Sequence, residues 1–137
     1  MPSGAQLMTQ QPWVTPPEGF MPLNRSGMQI IPSGAQVGAQ FVLEVIQLAG
    51  GYTGWLRRMG LESGNWNCIA FQLQVGGAPL RDFTVVKVPI GSPSTPEDVY
   101  LAVAPNVVTQ LVALVIAVPP AAIPLRWYLG GWYYQES

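Results

Sequence analysis

Glycine and proline break this chain so often that no long element can form between them. Fifteen glycines and fourteen prolines are spread over 137 residues. Proline clashes inside a helix and removes a ladder donor, and glycine weakens helix and strand interiors alike. The intervening runs are rich in Val, Ile, Phe, Trp and Tyr, which suit a pleated, half-buried surface. Phe41–Leu48 ends at Gly50-Gly51, and Tyr52–Leu61 ends at Ser63-Gly64-Asn65. Trp66–Val75 alternates, with Ile69, Phe71, Leu73 and Val75 as its inward set. Gly76-Gly77 is a two-residue hairpin signal suited to a primed turn.

The pattern continues to the C-terminus. Arg81–Ile90 reads as a strand carrying Phe83, Val85 and Val88, Gly91–Pro96 as a loop, and Val99–Val103 as another strand. A short helical turn through Glu97 and Asp98 is compatible with Pro96 and two acids. Pro105-Asn106 turns the chain into Val107–Val118, whose unbroken apolar character fits a strand covered on both faces. Ile123–Tyr134 closes the set. Short strands with turn signals between them predict an all-β fold, an antiparallel β-sandwich or jelly roll of seven or eight strands. The eighth strand requires that part of the N-terminal region, around Gln29–Ile31, join a sheet.

Residues 1–38 have a different texture, and the sandwich domain is expected to begin at residue 39. The segment holds six prolines and only two charges, Glu18 and Arg25, and shows no period of 2 or 3.6. It is too apolar for a solvated tail. Trp13, Val14, Phe20, Met21, Leu23, Met28, Ile30 and Ile31 suit an extended arm lying along another surface. The pentapeptide Pro-Ser-Gly-Ala-Gln occurs at Pro2–Gln6 and again at Pro32–Gln36, which reads as two similar turns rather than a structural repeat.

Charged residues make up 9 % of the chain, against roughly a quarter in typical domains. Solubility normally rests on surface charge, so a chain this poor in it is expected to hide surface against other chains. A net charge of −1 with a single basic pair, Arg57-Arg58, gives no electrostatic footprint for nucleic acid. The absence of histidine removes Ser-His-Asp and Cys-His catalysis and the commonest transition-metal ligand. The acids Glu44, Glu62, Asp82, Glu97, Asp98 and Glu136 fall mostly at turns and strand ends, where solvation explains them better than a carboxylate pair does. None of the glycine pairs lies between a strand and a helix as a phosphate loop requires. The lone Cys68 lies in an apolar run, permits no intramolecular disulfide, and reads as a small buried side chain. The N-terminus lacks a basic-then-apolar signal pattern. Val107–Val118 is shorter than the about 20 residues a bilayer-spanning helix needs. The expectation is therefore a non-enzymatic protein with no cofactor, no metal, no nucleic-acid partner and no membrane span.

The C-terminal stretch Leu125–Tyr134 packs five aromatics into ten residues. Such a tail needs neighbours, and Leu125–Leu129 is expected to complete the sandwich. Gly130-Gly131 inside a strand suggests a bulge or a close backbone approach, here expected at a subunit contact, with Trp132 and Tyr134 reaching a partner. Partner-binding residues are accordingly expected at Trp13, Phe20, Met21, Leu23, Ile30 and Ile31 in the arm, and at Gly130, Gly131, Trp132 and Tyr134 in the last strand. The scarce charges Arg57-Arg58, Arg126 and Glu136 would pair across an interface. An alternative expectation is a carbohydrate-binding sandwich of a host-recognition device, with Trp55, Trp66, Trp127 and Trp132 as an aromatic platform.

An apolar arm, a compact sandwich with Gly-Gly and Pro turns, and the closing run Ile123-Pro124-Leu125-Arg126-Trp127-Tyr128-Leu129-Gly130-Gly131-Trp132-Tyr133 together resemble the small jelly-roll accessory proteins of bacteriophage virions. These include capsid decoration or cement proteins, penton or spike-base proteins, and head–tail connector pieces. The resemblance covers residues 39–134. It implies a viral structural protein in the virion, assembled in the host cytoplasm. It also implies packing as a homo-oligomer, trimer or pentamer, against a major capsid or connector protein. It carries over no site residues.

Overall fold

The computed structural model describes residues 11–136. Eight strands appear in chain order: β1 Met21–Ile31, β2 Gln40–Ile46, β3 Tyr52–Ser63, β4 Ile69–Val75, β5 Ala78–Pro79, β6 Glu97–Val103, β7 Thr109–Val115 and β8 Ile123–Gln135. They form two four-stranded sheets of order β1-β8-β3-β6 and β2-β7-β4-β5. Every pairing within the sheets is antiparallel. Apart from the β4–β5 hairpin, each connection carries the chain from one sheet to the other. That winding makes the sandwich an eight-stranded jelly roll.

The core is the set of inward positions of both sheets. The first contributes Leu23, Ile31, Leu56, Met59, Leu61, Leu125, Trp127 and Leu129, and the second Ile46, Ile69, Phe71, Leu73, Leu111, Ala113 and Val115. Alternation along β8 is strict from Ile123 to Leu129, with odd residues buried. In β3 the parity changes midway. Leu56 and Met59 both face the core because the register slips between Leu56 and Arg58. This bulge lets two consecutive arginines, Arg57 and Arg58, share the outer face.

Several sequence expectations are met closely. Gly76 and Gly77 both have positive φ, 63° and 84°, as a two-residue primed hairpin turn demands. Pro105-Asn106 turns the chain, with Asn106 at φ 60°, a conformation Asn tolerates. The Pro32–Gln36 copy of the pentapeptide contains a turn at Ser33-Gly34, whereas Pro2–Gln6 lies outside the described residues. β7 is central in its sheet and mostly buried on both faces.

Other expectations are corrected. Arg81–Ile90 is not a strand. It runs irregularly beside β3 and β4, with isolated bridges Phe71–Val86 and Leu61–Ile90. Asp82 at φ 71° marks its turn. Trp66–Cys68 is a turn held by Asn65 rather than the start of β4. Glu97 and Asp98 begin β6 instead of forming a helical turn. Part of the arm does join a sheet, as an eighth strand required, but over the whole of Met21–Ile31 rather than only around Gln29–Ile31, paired with β8 along its whole length. Only residues 11–20 of the described chain precede the sandwich. They are not extended: the amides of Val14 and Thr15 both bond the Gln11 carbonyl, closing a compact turn.

Candidate functional site

The outer face of sheet β1-β8-β3-β6 gathers most of the chain's unusual side chains. Register places Trp55 beside Trp132, Arg58 beside Gly130, and Gly130 beside Asn24. Arg57 stacks over the Tyr100 ring, 3.9 Å from its centroid, with the Trp132 ring at 5.8 Å. Its guanidinium also donates to the carbonyls of Val99, at 3.0 Å, and Trp13. The N-terminal turn lies on this cluster. Trp132 Nε1 donates to the Pro12 carbonyl at 2.6 Å, and Trp13 meets Trp55 with ring centroids 5.8 Å apart.

Next to the cluster is a groove of about 380 Å³ lined by Val14, Asn24, Arg58, Asp98, Tyr128 and Trp132. Gly130 makes its floor possible. A Cβ there would collide with the Tyr128 ring, which lies across the glycine. Tyr128 is fixed in place because its hydroxyl donates to Asn24 Oδ1 at 2.9 Å. Arg58 and Asp98 pair loosely at 3.7 Å, each more than 60 % exposed. A pair this exposed contributes about 0–1 kcal/mol.

The expected partner-binding residues separate into three groups. Leu23 and Ile31 are 3 % and 0 % exposed and belong to this chain's own core, so they are not available to a partner. Gly131 does mark a close backbone approach, but the neighbour is the chain's own β3: a Cβ there would overlap the Trp55 carbonyl, whereas Gly130 makes room for the Tyr128 ring. The strand does not divide there either, since β8 runs unbroken between β1 and β3. Trp13, Phe20 and Ile30 are exposed, and Met21, Trp132 and Tyr134 half-buried.

The scarce charges also pair within the chain, Arg58 with Asp98 and Arg126 with Glu62. The four tryptophans do not form one platform. Trp127 is buried and donates across the sandwich to Glu44 Oε1 at 3.1 Å, while Trp66 packs on Phe71. Only Trp55 and Trp132 lie together. Cys68 is buried, as its apolar run suggested. Among the described residues no group of three or more Asp, Glu or Cys side chains is placed to hold a metal, and no helix is long and apolar enough to cross a membrane.

Asn24, Tyr128 and Asp98 escaped the sequence reading of this face, and Arg58 was read there only as half of a basic pair. Their convergence depends on the β3 bulge and on β1 pairing with β8, and neither leaves a local signal. The sequence matches no protein-family model and no curated protein.

Proposed function

We propose that this protein is a non-enzymatic structural subunit of a virus particle, of the decoration or minor capsid type. Its sandwich packs against further copies of itself, and its N-terminal segment engages a neighbouring subunit. The observation that carries this reading is the unprotected side of the sandwich formed by the edge strands β1 and β2. These strands touch each other across the two sheets, and each pairs with a single neighbour among the described residues. Met28 and Ile30 on β1, Val42 and Val45 on β2, and Val37 between them are 45–66 % exposed. The two strands carry one charge each, Arg25 and Glu44.

Natural sheets guard long edges with charges, prolines or a covering segment. β1 has such guards only in its first half, at Pro22 and Arg25; its second half exposes Met28 and Ile30, which with Val42 and Val45 of β2 suit burial against another chain. The jelly-roll winding agrees, being an architecture that viral capsid and lectin domains use.

The N-terminal segment suits exchange between copies. Its described residues, 11–20, are held to the sandwich by hydrogen bonds to two backbone carbonyls and by one tilted ring pair, and leave Val14 and Phe20 50 % and 44 % exposed. Pro16-Pro17, whose fixed φ holds the backbone open, lies between its compact turn and β1. A photocrosslinker placed at Trp13, in a mixture of ¹⁴N- and ¹⁵N-labelled chains, tests the exchange. Mixed-isotope crosslinks are expected, and crosslinks confined to single chains would overturn the engagement of a neighbour.

A further inference from the structure

We propose that the groove over Gly130 is a binding site for a saccharide carrying a carboxylate. Three features of the outer sheet face point to this ligand class. The first is a pair of aromatic side chains on one strand. Tyr128 and Trp132 are four residues apart on β8, about 13 Å at the usual rise of a strand. They border a groove whose volume falls in the range of small-molecule sites. Both rings offer apolar faces to the C–H face of a pyranose, and the Tyr128 oxygen, whose proton goes to Asn24, can still accept from a sugar hydroxyl.

The second feature is orientation. The Tyr128 ring is held across Gly130 by the absence of a Cβ at that glycine and by the bond from its hydroxyl to Asn24. An aromatic surface fixed in this way loses little freedom when a ring stacks on it.

The third feature is charge. The β3 bulge brings Arg57 and Arg58 to the same face, against one acid, Asp98. Arg57 is anchored by the Val99 and Trp13 carbonyls and by the Tyr100 ring, so its charge biases the groove from a fixed position. Arg58 is held only by the loose, exposed contact of its Nε with Asp98. It can turn its planar fork to a carboxylate, which guanidinium matches bidentately. Asp98 is then left to accept ligand hydroxyls. The local balance of two positive charges and one negative favours a ligand with one negative charge. This site shares only Trp132 with the four-tryptophan platform expected from sequence, and it does not depend on the protein's place in a particle.

Saturation-transfer NMR on the full chain tests the assignment. The probes are the methyl glycosides of N-acetylneuraminic acid and glucuronic acid, with methyl glucoside and sodium acetate as controls. The expected result is transfer to ring protons of the acidic glycosides, with affinity at least about tenfold above methyl glucoside. Arg58→Gln should erase the preference for acid. Gly130→Ala, which displaces the Tyr128 ring, and Tyr128→Ala should each abolish transfer in protein whose melting still shows a cooperative fold. No transfer to either acidic glycoside would overturn the proposal. So would equal binding of the neutral sugar, displacement by acetate at matching concentration, or unchanged binding by Arg58→Gln and Gly130→Ala.

Discussion

At the scale of single residues, Trp127 and Trp132 have opposite roles five positions apart. Trp127 fills the space between the sheets, and its indole N–H satisfies Glu44, which the β2 register slip near Val42 helps direct inward. The edge glycine opposite it, Gly27, has no Cβ because the Trp127 ring occupies that space. Trp127→Ala should therefore cost about 3–5 kcal/mol in urea unfolding, as large-to-small core changes do. Trp132→Ala, on the outer face, should cost less than half as much and mainly release the N-terminal turn, whose Pro12 carbonyl its indole holds. Gly131→Ala tests the close approach of β3. The new methyl would meet the Trp55 carbonyl, and overpacking of this kind costs about 1–3 kcal/mol. The glycine pair announced a close approach in the sequence. It did not say whose backbone approaches, because nothing in a strand's own residues tells whether it is central or at an edge.

At the scale of elements, the strands with buried, alternating or continuously apolar residues were legible, and the irregular edges were not. β8, β7, β3 and the core of β4 follow from pattern and punctuation alone. β1 hid behind Pro22, Asn24, Arg25, Ser26 and Gly27, a run with no apolar alternation. As an edge strand it buries only Leu23 and Ile31, so the period that identifies a strand was nearly absent. Arg81–Ile90 erred the other way. Its apolar residues suggested alternation, but its only bridge to β4 is Phe71–Val86, and Val85 and Val88 are exposed. Truncation separates the two views of the N-terminal region. Removing residues 1–20 should leave the circular dichroism spectrum and a cooperative melt intact. Removing residues 1–31 should abolish the cooperative transition, because it strips β8 of one of its two partners and opens the core at Leu23 and Ile31.

At the scale of the molecule, the two most informative sequence properties were Gly/Pro punctuation and the scarcity of charge. Punctuation led to the sandwich, and the strand order makes it a jelly roll. Charge scarcity finds its counterpart in the exposed apolar residues of the β1/β2 side rather than in the aromatic tail, which is largely occupied by its own neighbours. The outer-face groove was legible only in part. Trp132 and the arginine pair stand out in the sequence, whereas Asn24, Asp98 and Tyr128 join them only through strand register.

Self-association of the β1/β2 side is the central claim, and sedimentation velocity over a concentration series tests it most directly. The intact chain should sediment as a discrete trimer or pentamer. Ile30→Lys together with Val42→Lys, at two exposed positions on that side, should shift it to monomer with its melt unchanged. An intact chain that remains a soluble monomer up to concentrations on the order of 100 μM, well above the micromolar constants of specific interfaces, would contradict the account.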